Sequence, residues 1–321
     1  MKTTAFAILS FVLVCGTASY ADTFGTDPNT TFEIEFVTIG NPGNPDDTTG
    51  DPNQAGKVDY TYRIGKFEIS EDMIDKANAE GGLGITKNIR GPNKPATEVN
   101  WNEAARFVNW LNLSSGSPLA YKFALQPGEG GYSANVNIEL WTSGDAGYDP
   151  NNLYRNSQAT YFLPSMDEWY KAAYYDPNSG TYFDFPTGSD TVPTAVASGT
   201  LADTAVYFPF PDPTVATGPA DITQAGSLSP YGTMGQGGNV WELEETDFYN
   251  LVNDSPSSAR GFRGGSWSNT SAILQSSARN NFTPHGLDAN TGFRVASIPE
   301  PTTCVLALAA LCLAMSRQRS T

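Results

Sequence analysis

The chain has 321 residues, a formal net charge of −16, 12% aromatic and 16% charged residues, and 31 glycines with 22 prolines. That length supports a sizeable core, and the aromatic content with only moderate charge excludes a disordered polymer. The acidic balance excludes a nucleic-acid backbone as partner and suits a solvated exterior or cation binding.

In chain order, Met1–Ala21 reads as a signal peptide: Lys2, an apolar run from Ala5 to Cys15, and small residues at Ser19 and Ala21 that fit cleavage after Ala21. Val14 is too bulky for lipoprotein processing at Cys15. Thr31–Ile39 alternates Phe32, Ile34 and Phe36 with polar neighbours, the period of a half-buried strand. Residues 40–56 form a loop by composition, in which Asp46, Asp47 and Asp51 read as a solvated turn rather than a calcium site. Val58–Ile69 alternates again, with a bulge expected at Gly65.

A helix is expected from Glu71, capped by Ser70 and stopped at Gly81-Gly82. Asn100 with Glu103, and Ser165 with Glu168, are capping boxes that open two further helices. The first carries an apolar face of Ala104, Phe107, Val108 and Leu111, and the second runs through Trp169, Ala172 and Ala173. Glu103 and Glu168 therefore read as caps, not as acid/base groups. Asp176–Pro230 reads as ordered coil with short strands, and no linker or repeat divides residues 22–298, so one domain is expected.

Tyr231–Glu242, YGTMGQGGNVWE, is the stretch around which the rest is organised. Gly235, Gly237 and Gly238 permit positive φ and close backbone approach, and Trp241 brings a large apolar side chain. Glu242 stands where a carboxylate caps a turn, meets an arginine or holds a cation. Glycine-punctuated segments return towards it at 260–267 (RGFRGGSW), 276–279 (SSAR) and 291–296 (TGFRVA). Arg279 and Arg294, flanked by apolar residues, read as partly buried anchors. Asp167-Glu168 and Glu242, Glu244 and Glu245 read as solvated carboxylates rather than a hydrolase pair. No phosphate loop or nucleophile elbow is present, and His285 is the sole histidine, which leaves a Ser-His triad without support.

The C-terminus reads Pro299-Glu300-Pro301, an apolar run from Thr303 to Met315, then Arg317 and Arg319. The run is shorter than the roughly 20 residues of a full span. Its order resembles the PEP-CTERM sorting signal, which implies a precursor held in the membrane until a sorting enzyme removes the tail. A plain C-terminal membrane anchor is the alternative, and both place the domain outside the cytoplasm. Cys15, Cys304 and Cys312 all lie in these end segments, so residues 22–298 contain no cysteine. Disulfides, thiolate catalysis and cysteine-metal sites are thereby excluded from the domain. Removing Lys2, Arg317, Arg319 and Glu300 from 18 basic and 34 acidic residues leaves 15 and 33.

The order of motifs resembles the formylglycine-generating-enzyme, or sulfatase-modifying-factor, family. The segments that carry the likeness are YTYRIGKFEIS at 60–70, PATEVNWNEAARFVNWLN at 95–112, FLPSMDEWYKAA at 162–173, YGTMGQGGNVWEL, RGGSW and TGFRVA. The resemblance implies an α+β, loop-rich fold related to C-type lectin-like domains. It also implies an active-site cysteine pair shortly after the GGS segment, where this chain carries Asn269 and Leu274. Neither side chain forms a thiolate or binds copper through sulfur. The iron-dependent branch needs a histidine cluster, and a lone His285 cannot form one.

The resemblance further implies calcium at the carbonyls of Gly238 and Val240 and the Glu242 carboxylate. The Asn or Asp usual three residues before that glycine is Gly235 here. The rival is a metal-free turn with Glu242 paired to Arg260 or Arg263. The resemblance also implies that Arg279 lines the substrate cleft, and Trp267, Asn269, Leu274 and Arg279 are expected to share one concave face where an extracellular peptide or glycan docks. The expectation is an exported, non-catalytic, ligand-binding or matrix-associated member that requires no cofactor. The alternatives are an enzyme of unknown reaction using carboxylate and arginine groups in that cleft, or a purely structural surface protein.

Overall fold

The computed structural model of the protein describes residues 20–299. Most of the expected signal peptide (1–21), through residue 19, and of the expected sorting segment (299–321), from residue 300, lies outside the described residues. β1 (Tyr20–Phe24) pairs antiparallel with β2 (Phe32–Ile39), Tyr20 opposite Phe36. β2 buries Phe32, Ile34 and Phe36 and exposes Glu33 and Glu35, as its alternation predicts for a sheet with one wet face. β1 runs through the expected cleavage point after Ala21. Asp22, the next residue, is gripped by both terminal nitrogens of Arg63 (3.0 and 2.6 Å) and by the Tyr161 hydroxyl (2.7 Å).

β3 (Tyr62–Gly65) is shorter than the expected strand, and its register against β2 runs without a bulge. The Gly65 carbonyl accepts from Arg294 (2.8 Å) and the Lys66 carbonyl from the Met234 amide (2.7 Å). Those bonds draw the chain off the sheet.

Three helices follow the capping chemistry. α1 (Glu71–Gly81) begins with the Ser70 hydroxyl accepting the Met73 N–H and ends at a left-handed Gly82 (φ 62°). Only glycine takes that conformation without a Cβ penalty. α2 (Trp101–Ser114) opens on a complete Asn100/Glu103 capping box.

The sequence predicts one apolar face for α2, yet every residue from Trp101 to Asn112 is buried. The polar face is enclosed because its side chains satisfy neighbouring backbone. Asn109 brackets Tyr121, donating to its carbonyl (2.7 Å) and accepting its N–H (2.9 Å). Asn112 does the same for Tyr161 (2.8 and 3.0 Å). Arg106 donates to the carbonyls of Ala134 and Leu125 and stacks on Phe123.

β4 (Tyr161–Phe162) precedes α3 (Met166–Tyr174), opened by the Ser165/Glu168 capping box. The coil expected over 176–230 holds two-residue strands: β5 (Tyr175–Asp176) enters it, then β6 (Thr181–Tyr182), β7 (Thr194–Ala195) and β8 (Thr204–Ala205). The C-terminal part supplies β9 (Trp241–Asp247), β10 (Arg260–Arg263), β11 (Asn280–Phe282), β12 (Thr291–Gly292) and β13 (Ala296–Ser297). One sheet has the order β1-β2-β3-β13-β4 and the other β11-β10-β9-β12. The irregularity expected at Gly65 occurs instead between β9 and β10, at Arg260/Phe262.

The main core joins the first sheet to α2 and the C-terminal segment. Phe32 stacks on Trp110 (5.7 Å), and Phe107 meets Phe293 edge-on (5.6 Å). The architecture is α+β with little regular structure for its size, as expected. Among the described residues, no helix is long and apolar enough to cross a membrane.

Replacing Asn100 by Ala removes the acceptor for the Glu103 N–H at the buried start of α2. The expected loss is about 0.5–2 kcal/mol in urea unfolding, with Asn100→Ser recovering part of it and Asn100→Asp not, because the Asn100 amide also donates to the buried Glu103 carboxylate (2.7 Å). An unchanged midpoint for the alanine variant refutes the role assigned to this cap.

Candidate functional site

β9 carries Glu242, Glu244, Glu245 and Asp247, and all seven of its residues are buried. This corrects the reading of these carboxylates as solvated. Each glutamate is enclosed because cationic side chains from distant segments meet it. Glu242 binds Arg294 through both oxygens (2.5 Å each) and accepts the Trp169 indole N–H (2.6 Å). Glu244 forms ion pairs with Arg263 (2.8 Å) and Arg279 (3.5 Å). Glu245 accepts from Arg155 (2.8 Å to each oxygen), the Tyr121 hydroxyl (2.8 Å) and Asn152 (2.7 Å). An arginine partner for Glu242 is thus present, but it is Arg294. Arg260 instead lies over Tyr154 (4.0 Å) and Trp101 (4.5 Å).

Arg155 also binds Glu168 (3.2 and 3.0 Å), whose carboxylate closes the α3 capping box. Burial opposes the charge on Arg155, but Glu168 and Glu245 outweigh it and hold its pKa well above the usual arginine value. Burial likewise opposes ionisation of Glu168, and Arg155 more than offsets it, leaving that carboxyl below its ordinary value.

At the glycine-rich turn, the Gly238 N–H donates to the Gly264 carbonyl (2.8 Å), and Val240 is fully enclosed. With both Glu242 oxygens held by Arg294 and one also by Trp169, calcium at this carboxylate would have to displace a guanidinium. Among the described residues, no group of three or more Asp, Glu, His or Cys is arranged to hold a metal ion.

Gly235 has φ +80°, and a Cβ there would lie 2.6–2.8 Å from the Glu68 carboxylate. Glu68 therefore occupies the space that a side chain at 235 would enter. It is buried, accepts from Asn239 through one oxygen (2.8 Å) and leaves the other, Oε2, without a partner. Burial and the nearby Glu242 push its pKa up to about 7, against the pull of Arg294.

The four residues expected to line a cleft turn to different neighbours. Trp267 packs beside Val206, Ala216 and Ala220. Asn269 accepts the Ser266 N–H and hydroxyl (3.0 and 2.7 Å), which closes a turn. Leu274 is completely buried with Phe185, Ala205 and Tyr207. Arg279 lies over the Phe248 ring (4.4 Å) and donates to the Phe248 carbonyl (3.1 Å) beside Glu244. Leu274 and Arg279 are corrected from lining residues to internal packing, because apolar burial and a buried carboxylate claim them. His285 is an exposed turn residue that contacts Asn135 (2.7 Å).

An open cavity of about 490 Å³ lies on the other side of Arg155, with none of those four in its wall. Loop 149–157, the start of α3 and the end of β9 surround it, and Gln54, Tyr60 and Asn253 are also in the wall. Asp167, in this wall, accepts the Gly56 N–H (2.8 Å), and burial raises its pKa to about 6 despite that bond. Sequence reading missed this site. The signal was the amide-rich run DPNNLYRN at 149–156, which composition alone marks only as loop.

Residues 34–298 match the family of the sulfatase-modifying factor enzyme 1-like domain. No curated protein matches the chain. Among solved structures, Treponema denticola variable protein 1 superposes with a TM-score of 0.56 at 16% identity, over 88% of this chain and 100% of that one. CarF superposes with a TM-score of 0.57 at 18% identity, over 83% of this chain and 99% of its own. At such identities the likeness establishes the fold alone.

Two outcomes follow from the buried charges. Arg294→Met leaves Glu242 enclosed without its counter-ion, and a loss of about 3–5 kcal/mol is expected in denaturant unfolding. A loss below about 1 kcal/mol contradicts the pairing. Glu68 titrates higher in the folded chain than in the unfolded one, so the unfolded state gives up that proton first as pH rises. Stability from this group is therefore complete below about pH 4.5 and lost towards about pH 7. Glu68→Gln is expected to match wild type in acid and exceed it at neutral pH. Parallel stability curves across that range contradict it.

Proposed function

The chain belongs to the sulfatase-modifying factor enzyme 1-like family, and we propose that it is an exported, surface-attached or secreted member that binds a ligand without performing the family's oxidation. The observation that carries this reading is the filling of the positions where the family resemblance implies cysteines. Asn269 holds a turn, Leu274 is core, and no cysteine occurs between residues 20 and 299. Sulfur coordination of copper and disulfide exchange have no group to act through there. The carboxylate and arginine groups nearest that region, Glu244 with Arg263 and Arg279, neutralise one another inside the protein. That pairing disfavours an acid/base enzyme built on them.

The export half of the proposal rests on the end segments, a signal peptide before residue 22 and a Pro-Glu-Pro, apolar, arginine tail from residue 299. In this reading a sorting enzyme processes the tail, and the domain works outside the cytoplasm as a binding or matrix component.

The test is thiol turnover by the purified 22–298 domain with copper or iron, oxygen and a cysteine-containing peptide. Oxidation no faster than the metal-only control is expected, and calcium added to EDTA-stripped protein is expected to leave the melting temperature unchanged. Enzyme-dependent thiol oxidation with stoichiometric bound metal overturns the proposal. A calcium-dependent rise in melting temperature that Glu242→Gln abolishes shows instead that the cation binds at Glu242.

A further inference from the structure

We infer that the cavity beside Arg155 is a binding site for neutral, hydroxyl-rich ligands, the sugar units of a glycan. This rests on the ligand-binding reading above and names the ligand's chemistry. The volume of about 490 Å³ lies within the range of small-molecule sites. Its wall has an unusual polar character: asparagines 151, 152, 156 and 253 with the carboxylates Asp149 and Asp167.

The hydrogen bonds within that wall determine what it still offers. Each asparagine donates one amide hydrogen to the protein: Asn151 to Asp149, Asn152 to Glu245, Asn156 to the Ala146 carbonyl, and Asn253 to Asn152. An amide nitrogen has two hydrogens, so each keeps a second one in a fixed orientation. The amide oxygens of Asn152, Asn156 and Asn253 are already acceptors for the backbone N–H groups of Tyr154, Gln158 and Asp247. Asn152, whose oxygen also accepts from Asn253, therefore presents a donor only, whereas Asn156 and Asn253 each keep a donor and one oxygen lone pair. Asp149 and Asp167 each use one oxygen, Oδ1, on internal donors and keep the other as acceptor.

A wall that interleaves donors and acceptors matches hydroxyl groups, which need both. A metal cation needs acceptors alone and would face amide hydrogens. An anion needs donors alone and would face two aspartates, because Glu168 and Glu245 already neutralise Arg155, the one cationic side chain of the wall. Tyr60, 43% exposed at the rim and tied to Glu168 through its hydroxyl (2.6 Å), supplies a rigid aromatic face for the C–H side of a ring.

The test is calorimetric titration of the 22–298 domain with neutral trisaccharides of glucose, mannose, xylose and N-acetylglucosamine. Trigalacturonate, a heparin disaccharide and a random peptide pool are run in parallel. Asn151→Ala and Gln54→Ala alter the exposed rim of the cavity. Asn178→Ala is the control, since it removes the same Asn-to-Asp turn contact at Asp176, in the β5–β6 turn. Binding of at least one neutral trisaccharide is expected, weakened about tenfold or more by the first two variants and unchanged by the third. Neutral-sugar binding that ignores Asn151 and Gln54 overturns the site. Binding of only anionic sugars or peptides, sensitive to Asn151, overturns the sugar assignment but preserves a ligand-binding cavity. No binding in any arm removes the assignment and the ligand-binding reading together.

Discussion

The structure depends on the neutralisation of β9. Three glutamates lie on one short strand with no exposure, and each buried carboxylate carries a desolvation cost of several kcal/mol unless a counter-ion reaches it. The counter-ions come from four places: Arg155 in the loop before β4, Arg263 on β10, Arg279 before β11, and Arg294 between β12 and β13. Bringing these to one strand fixes how the C-terminal segments wrap around the glycine-rich turn. Compact alternatives that separate any pair leave an uncompensated charge in the interior. An acidic protein with few basic residues thus uses four of its arginines inside, against the carboxylates of β9.

This constraint also shapes the functional reading. Arginines committed to Glu242 and Glu244 are not available to grip a substrate, and Leu274 fills core space where sulfur chemistry would be required. The glycine-rich turn consequently serves as a structural knot, with Glu68 standing in the space beside Gly235. On the opposite side of β9, Glu245 and Glu168 hold Arg155 rigid and charge-compensated. That leaves a cavity whose amides and carboxylates are preorganised by their own hydrogen bonds, the condition under which polar groups recognise hydroxyls without a large ordering cost.

Some of this is legible in local chemistry. Ser70, Asn100 and Ser165 mark three helix starts because a cap and its N3 partner are three residues apart, so their geometry is settled within one turn. The alternation of Phe32, Ile34 and Phe36 reports a one-sided sheet for the same reason. The period of α2 was legible, but the burial of its whole circumference from Trp101 to Asn112 was not. Whether Asn109 and Asn112 face water or the backbone of Tyr121 and Tyr161 depends on which loops cover the helix. A run such as Glu242, Glu244 and Glu245 looks solvated when read alone, because its counter-ions are remote.

By itself, then, the sequence determined the α+β class, the helix starts, the family motifs and the absence of cysteine between the end segments, all properties of residue identity or short spacing. Tertiary structure decided which arginine meets which carboxylate, that Leu274 and Arg279 face inward, and where an amide-lined cavity opens. Glu242 and Arg294 are 52 residues apart, Glu245 and Arg155 are 90 apart, and Glu68 and Asn239 are 171 apart. Pairings over such distances are selected by the joint satisfaction of all buried charges, a condition that exists only once the chain has closed on itself.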